Sequence, residues 1–196
     1  MQKLPFSLLD SWAFWSTPDA TTVAGQDPQT VEARFGEVYQ PNYFPTSALS
    51  KDLAQQLATT KYVIVGLNRG NAEVDRDPQA PFLSFHGPKR SMDYRLAAAL
   101  YDTEMWGAFM TDLDATINSD STAVQPGKAQ VEALEQHLAD LGIPQTAKLI
   151  ALGNVVFDTL SKSATRRVFK LSHYSGANGH WQADAERQAV QAAIEG

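Results

Sequence analysis

The sequence contains no cysteine, so disulfide bonds, thiolate nucleophiles and cysteine-bound zinc are excluded. It also lacks any apolar run near the roughly 20 residues that a membrane-spanning helix needs. Its first residues, MQKLPFSLLDSWAFW, have neither the long apolar segment nor the small-residue cleavage site of a secretory signal. We therefore expect an intracellular, cytoplasmic protein that makes no membrane contact.

Positive charge is scarce as well. The 16 Lys and Arg residues are outnumbered by 22 Asp and Glu residues, which gives a formal net charge of −6. Proteins that hold duplex DNA mainly through its phosphates tend to be basic, so any nucleic-acid contact must depend on local patches. Two short basic segments exist, at 89–95 and 166–170, and solvated charge on a loop or strand edge is the simpler interpretation of each.

The length of 196 residues and the apolar content of 43% fit one globular domain, 1–196, with a sizeable core. Residues 1–60 are irregular and rich in aromatic residues and proline, and we expect them to add peripheral helices and loops. The segment TSALSKDLAQQLATT is the one plausible helix there, and the Ser50 region can cap it. The pattern becomes regular at Lys61, so residues 61–196 are expected to form the α/β core.

Four short apolar runs of strand type follow, YVIVG, WGAFMTDL, AKLIALG and RVFKLS. Helical patterns lie between and after them: MDYRLAAALYD, GKAQVEALEQHLADLG, NVVFDTLSK and ADAERQAVQAAI, the third with Asn154 as its cap. Strands that alternate with helices predict βαβ units and a parallel sheet covered on both faces. The expected fold class is therefore α/β, a three-layer α/β/α sandwich with a central four-stranded parallel sheet.

Ligands of an open parallel sheet bind beyond the carboxyl ends of its strands. The loops at these ends carry a cluster of polar residues: Asn68, Arg69, Asn71, Thr111, Asp112, Asp114, Asn154, His173, Tyr174, Ser175, Asn178 and His180. The loop of residues 67–91 also carries Phe82, Phe85 and His86, and a connection of this length without periodicity is typically functional. The sequence therefore predicts a small-ligand pocket at this edge.

Generic motifs are missing from these loops. GLNRGN is neither a dinucleotide fingerprint nor a phosphate-binding loop, and no G-x-S-x-G segment occurs. The spacing of His173 and His180 across a glycine-rich loop is not typical of a metal site. We expect neither a metal nor a cofactor.

Three short segments occur in an order and strand context that point to a known family. Gly66-Leu67-Asn68-Arg69-Gly70 ends the first strand, FHGP contains Phe85, and His173-Tyr174-Ser175-Gly176-Ala177-Asn178 follows the last strand. Together they resemble the uracil-DNA glycosylase superfamily, in particular its mismatch-specific and single-strand-selective branches. The family forms are G-x-N-P-G, F-x-G-P and H-P-S-P-x-N, so Arg69 replaces a proline and both prolines of the last motif are replaced. The resemblance covers roughly residues 61–190.

The resemblance implies an α/β/α fold and hydrolysis of the N-glycosidic bond of a base flipped out of DNA. It implies two catalytic residues, Asn68 to hold the attacking water and His173 to donate a hydrogen bond to the leaving base. Phe85 would stack on the base and Asp112 would contact it. Further substrate-binding residues would be Gly66, Leu67, Ser175 and Asn178. The implied partner is single- or double-stranded DNA or a small nucleobase-containing molecule, and we expect a monomer.

Departures from the family pattern keep other functions open. The family commonly has Asn at the end of its second strand, whereas here Thr111 or Asp112 stands there, and an ionised Asp has no donor for a uracil carbonyl. The apolar residue that usually wedges into duplex DNA is missing after the last motif, unless Trp181 supplies it. There are two alternatives. The protein could be non-catalytic and bind a nucleobase, nucleic acid or protein, or it could hydrolyse small N-glycosides.

One further match is to the segment GQDP at 25–28, which has the letters of the first motif in the main uracil-excising branch. It follows no apolar strand, and Asp27-Pro28 is typical of a turn. We therefore expect it to lie outside the site.

Overall fold

The computed structural model describes residues 4–70, 81–118, 120, 123–176 and 179–196. Its strands are β1 (Ser11–Trp12), β2 (Tyr62–Gly66), β3 (Phe109–Asp112), β4 (Lys148–Leu152) and β5 (Val168–Leu171). Its helices are α1 (Ala20–Val23), α2 (Pro28–Val38), α3 (Leu53–Ala58), α4 (Asp93–Leu100), α5 (Lys128–Asp140), α6 (Asn154–Ser163) and α7 (Ala183–Glu195), with single 3-10 turns at Thr46–Ala48 and Lys89–Ser91. None of these helices is long and apolar enough to cross a membrane.

The protein is α/β, and its central sheet has the strand order β1-β3-β2-β4-β5. The four apolar runs of the sequence form β2, β3, β4 and β5, and these strands are parallel. The prediction of a four-stranded sheet is wrong by one strand, because β1 pairs antiparallel with β3 at the edge. Only two residues form β1, which is too short for an alternating apolar pattern to reveal.

Helices cover the sheet on both faces, in agreement with a three-layer arrangement. All five residues of β2 are buried, as expected for a parallel strand between two helical layers. Tyr62 and Ile64 pack in a cluster with α2, α4 and α7, whereas Val63 and Val65 pack with α3, α5 and α6. Burying a Val, Ile or Phe side chain stabilises the fold by about 1.5–3 kcal/mol, so both layers are held mainly by apolar contact.

The N-terminal region contributes to the core and is not only peripheral, contrary to our expectation. Trp12 of β1 is fully buried, and Phe35 of α2 is 1% exposed. Helix α2 begins at Pro28 because Asp27 caps it: the Asp27 side chain accepts a hydrogen bond from the Thr30 backbone N–H at 3.0 Å. Proline at the first helical position loses no hydrogen bond. The GQDP segment is thus a helix start, where we predicted a turn.

Two predicted helix caps are displaced by one or two residues. Asp52, two residues after Ser50, caps α3 by accepting from the Gln55 N–H at 3.0 Å. Gly153, with a φ of +87°, precedes α6, and Asn154 is its first residue. A positive φ is favourable for glycine, and it turns the chain sharply from β4 into the helix.

The strand order places a crevice between β2 and β4. The chain leaves β2 toward β3 on one side, and it leaves β4 toward β5 on the other side. Where successive connections diverge in this way, a parallel sheet opens beyond the carboxyl ends of the two central strands. Gly66 ends β2 and Leu152 ends β4, so the loops that begin there border the crevice.

Candidate functional site

Gly66, Phe85 and Asp112 meet at the end of β2. Gly66 and Asp112 are register partners on neighbouring strands. A β-carbon added to Gly66 would lie 2.2 Å from Asp112 Oδ1 and 2.8 Å from Phe85 Cε1. The ring and the carboxyl group therefore occupy the space above a residue that has no side chain. The structure thus brings three of the predicted site residues together.

Phe85 has an unusual backbone. Its φ is +65°, and it is 7% exposed. The left-handed region is strained for a bulky residue and persists only where the surroundings fix it. Here the next residue is anchored: Nε2 of the fully buried His86 lies 3.1 Å from Ser11 Oγ, and Ser11 Oγ donates to the Phe82 carbonyl at 2.7 Å. Because Ser11 uses its hydrogen on Phe82, Nε2 of His86 is the donor.

The segment after Phe85 is fixed by a buried carboxylate. Asp93, at the start of α4, accepts from the Gly87 backbone N–H at 2.5 Å and from the Tyr39 hydroxyl at 2.8 Å. Asp93 is 1% exposed, and Tyr39 belongs to the core. Hydrogen bonds to a buried carboxylate are stronger than those between neutral groups. The position of the Phe85 ring is therefore determined from both sides of its loop.

Asn68 is held by the loop that follows β3. Its Nδ2 donates to the carbonyl oxygens of Arg69, Thr116 and Asn118 at 3.0, 3.1 and 2.8 Å. Three acceptors on one side of the amide identify the NH₂ group and leave Oδ1 on the other side. Within the described part of the chain, Oδ1 accepts no hydrogen bond from the protein. Oδ1 can therefore accept from a water molecule.

His173 is held as a neutral imidazole. The Ser175 backbone N–H donates to its Nδ1 at 3.1 Å, so the ring proton of the neutral form lies on Nε2. Burial lowers the pKa of His173 to about 4. The ring stacks on Tyr174 at 4.6 Å between centroids. Among the described contacts, Nε2 donates to no protein atom, so a neutral donor remains at this edge.

The loop that carries His173 is braced from the helical layer. The Ser172 N–H donates to Glu186 of α7 at 2.8 Å, and Arg95 of α4 donates to the Tyr174 carbonyl at 3.3 Å. Glu32 of α2 accepts from Arg95 at 3.1 Å and from the Trp181 indole at 2.8 Å. Trp181 is 9% exposed. Because its ring is buried and its N–H is bonded, this arrangement does not present it as a duplex wedge.

Asn68 and His173 lie on either side of β4. The strand order separates β2 from β5 by one strand, which places the two strand axes about 10 Å apart. Gly153 lies at the end of the strand between them, and a β-carbon added there would lie 3.6 Å from His173 Cβ. Gly66, Phe85, Asp112 and Asn68 thus lie at the ends of β2 and β3, and His173 and Ser175 lie beyond β5, on the other side of β4.

The remaining predicted residues do not all join this site. Leu67 is partly buried with the apolar cluster on the opposite face of the sheet, and its carbonyl accepts from the Asp114 N–H at 2.9 Å. Asn178 and Asn71 lie outside the described residues. In the second basic segment, Arg166 is 5% exposed and pairs with Glu135, whereas Arg167 and Lys170 are exposed.

Sequence reasoning missed a buried polar network on the other face. Asp10 accepts from Thr111 Oγ1 at 2.8 Å, and Nε2 of His137 on α5 lies 2.9 Å from its Oδ2. Asp10 is 1% exposed, although it lies in an irregular segment with no pattern that marks it as buried. Thr111 is therefore committed to Asp10, and Asp112 is the residue of β3 that lies beside Phe85.

Among the described residues, no group of three His, Asp or Glu side chains is placed to hold a metal ion. No protein-family model matches the chain, and no curated protein matches it either.

Proposed function

We propose that the protein has a fold of the uracil-DNA glycosylase type, binds a nucleobase in the crevice, and hydrolyses the N-glycosidic bond of that base. The observation that carries the proposal is the state of His173. Its Nδ1 accepts from the Ser175 N–H, and its pKa is lowered to about 4. Nε2–H is therefore a donor at neutral pH without a positive charge on the ring.

Such a donor fits the chemistry of base excision. When the bond between C1′ and the base nitrogen breaks, its electron pair moves onto the base, and negative charge develops on the base oxygen. A preorganised donor in a water-poor site stabilises this charge and lowers the barrier. His173 Nε2–H supplies the hydrogen bond and keeps its proton. The base then takes a proton from solvent after it leaves.

Asn68 holds the nucleophile in this proposal. Oδ1 accepts a hydrogen bond from water and directs the water oxygen toward C1′, where the new bond forms. An amide does not take the released proton, which passes to solvent. Because the three carbonyl oxygens fix the amide, Oδ1 is already oriented before water binds. The expected enzyme is slow, since no general base assists the attack.

Phe85 provides the stacking surface. Its ring is held over Gly66, next to the crevice between β2 and β4. Stacking of a base on an aromatic ring contributes about 1–3 kcal/mol. Because the backbone of Phe85 is fixed on both sides, the ring loses little further freedom when a base binds.

A second candidate, non-catalytic binding of a nucleobase, is favoured by Asp112. Its carboxyl group lies beside the Phe85 ring at the end of β3. A carboxylate accepts from an exocyclic amine, but it would repel a base that leaves as an anion. A base that carries an amino group would therefore bind well, and its N-glycosidic bond would be cleaved slowly or not at all.

The experiment is an excision assay with three kinds of substrate. Single-stranded oligonucleotides, duplexes and free nucleosides, each with a panel of deaminated, alkylated and amino-bearing bases, are incubated with the protein. Abasic sites or free bases are then measured. The proposal expects a product with at least one base, lost in His173→Ala and retained in His180→Ala, which changes an exposed histidine. No product from any substrate, with saturable Trp fluorescence changes on base addition, would establish the binding protein instead.

A further inference from the structure

A cavity lies on the helical face formed by α1, α2, α4 and α7. Its volume is about 420 Å³, within the range of small-molecule sites. Its apolar wall includes Val23, Val31 and Ala98. Trp181 adds an aromatic surface. A ligand with a small apolar body would fit this wall.

One guanidinium group is built into the cavity. Arg187 of α7 lines it, and its Nη1 donates to the carbonyl oxygens of Ala99 and Tyr101 at 3.0 and 2.5 Å. These bonds tie the guanidinium to the last turn of α4, whose carbonyl groups have no partners within the helix. Within the described residues, Nε and Nη2 of Arg187 donate to no protein atom. Nε and Nη2 of this partly buried cation are the donors that an anion in the cavity would use.

A carboxylate lies on the same wall without touching this cation. Asp102 lines the cavity and is exposed. Burial lowers the pKa of Arg187, and the negative charge of Asp102 raises it. The two groups are therefore near enough to interact, yet the described contacts contain neither an ion pair nor a hydrogen bond between them. Arg187 and Asp102 thus line one cavity with opposite charges that do not pair, and this is the feature that selects the ligand.

The other two charges of the cavity are already satisfied. Arg95 pairs with Glu32 at 3.1 Å, and the other carboxylate oxygen of Glu32 accepts from the Trp181 indole at 2.8 Å. These groups hold the cavity wall together. Arg187 is left with two donors, Nε and Nη2, and Asp102 with its carboxylate oxygens as acceptors. Together they suit a ligand that carries both a negative and a positive charge.

We propose that this cavity binds a zwitterion with an apolar side chain, the class of the α-amino acids. The ligand carboxylate lies against Nε and Nη2 of Arg187, the ammonium group lies against Asp102, and the side chain packs on the apolar wall. This site goes beyond the proposed function of the crevice and does not depend on it.

The test is isothermal titration of the whole chain with L-leucine and L-phenylalanine. The controls are 3-phenylpropionate, which keeps the carboxylate alone, and phenethylamine, which keeps the amine alone. We expect at least one of the two amino acids to bind, and each control to bind at least tenfold more weakly than the tighter-binding amino acid. Absence of binding by both amino acids, or equal binding of a single-charge analogue, overturns the proposal.

Asp102→Asn is the matched variant. Asp102 has a φ of +55°, a conformation that Asn tolerates as well as Asp, so the fold should be unchanged. We expect amino-acid binding to weaken about tenfold in this variant and 3-phenylpropionate binding to stay the same or tighten. Asp158→Asn on α6 changes an exposed carboxylate elsewhere and should leave both affinities as they are. Equal weakening in both variants would contradict the assignment of Asp102.

Discussion

The backbone N–H of Ser175 donates to Nδ1 of His173 at 3.1 Å. This bond lies within a single short turn after β5, so it does not depend on a distant element. It fixes which imidazole nitrogen carries the proton and leaves Nε2–H as a donor. Burial of the ring by its surroundings disfavours its charged form. The tautomer is thus set by this turn, and the charge state by the groups that pack around the ring.

The first prediction is the titration of His173. Burial lowers its folded pKa to about 4, below the ordinary value near 6.5. Between these values the unfolded chain binds a proton that the folded chain does not. The contribution of His173 to the free energy of unfolding therefore falls as the pH decreases from about 6.5 to about 4 and is constant below. NMR titration of its ring proton gives the pKa, and urea unfolding over this pH range gives the slope.

The matched variants are His173→Gln and His180→Gln. The first should reduce the dependence of stability on pH in this window, because the desolvated imidazole is gone. The second makes the same chemical change at an exposed position and tests whether the loss of any histidine has this effect. If excision is detected, its acid limb should lie near pH 4. A midpoint near pH 6.5, in the NMR titration of His173 or in the acid limb of excision, would contradict the burial of His173.

The second prediction concerns Asn68→Asp. An aspartate could take a proton from water, so chemistry alone would expect a faster enzyme. The structure leads to the opposite result, because the Nδ2 group donates to three carbonyl oxygens. A carboxylate would face those oxygens with no hydrogen to donate. We expect the variant to lose about 1–3 kcal/mol of unfolding free energy and to gain no activity.

The control is the same replacement at Asn154. This residue is exposed at the first position of α6 and accepts from Lys170 Nζ at 3.2 Å. A negative charge at this end of a helix is favourable, so stability should stay the same or rise. Chemical unfolding of both variants makes the comparison. Equal stability of the Asn68→Asp and Asn154→Asp proteins would show that the carbonyl contacts of Asn68 do not hold the loop.

Some elements of the fold can be predicted from the local sequence pattern, and others cannot. Runs such as YVIVG predict a strand buried between two helical layers, because apolar residues continue without alternation. The two residues of β1 carry no such signal. Phe85 could be placed in a long loop, but its position over Gly66 depends on Ser11 and Asp93, which are distant in sequence. Only the tertiary structure brings these together.

In the candidate site, too, some features can be predicted from the sequence and others depend on tertiary contacts. The two-residue spacing of His173 and Ser175 is visible in the sequence, but the direction of the hydrogen bond between them is not. The water-holding role of Asn68 is a prediction from its motif, and its three carbonyl contacts come from the loop after β3 and from its own neighbour. Asp10 has no periodic neighbours that indicate burial. Contacts between segments far apart in the chain explain what the sequence could not predict.

The third prediction concerns Gly66→Ala. The new β-carbon would lie 2.2 Å from Asp112 Oδ1 and 2.8 Å from Phe85 Cε1. Neither group can withdraw easily, because Asp112 belongs to β3 and Phe85 is fixed on both sides. We expect a loss of about 1–3 kcal/mol, as for other overpacked cores, and displacement of the Phe85 ring. Urea unfolding measures the loss, and aromatic NMR shifts report the ring.

Gly127→Ser is the control for this substitution. Its β-carbon would meet only Gln130 Oε1, at 3.9 Å, and serine is a favourable residue before a helix. Stability should therefore be unchanged or higher. If Gly66→Ala were as stable as this control, with the Phe85 signals unmoved, the close approach of the ring and the carboxyl group to Gly66 would be contradicted.

The last prediction concerns the buried pair of Asp10 and His137. The hydrogen bond to Asp10 raises the pKa of His137, and burial opposes it. A raised pKa means that the folded chain keeps a proton that the unfolded chain releases above about pH 6.5. The stabilisation by this pair is fully present below that pH and is lost as the pH rises through the folded pKa. His137 and His173 thus act in adjacent pH windows with opposite slopes.

His137→Gln should therefore be less stable than the parent chain by about 1–3 kcal/mol below pH 6.5, and the two should converge at alkaline pH. Asp10→Asn tests the same pair from the other side. It also disturbs the bonds from Ser7 and Thr111, so it should cost more, and its difference should shrink but persist at high pH. Urea unfolding at intervals across the neutral and alkaline range measures both curves. A constant difference between His137→Gln and the parent at every pH would mean that His137 stabilises the fold by packing alone, because a charged partner of Asp10 must lose its contribution when it loses its proton.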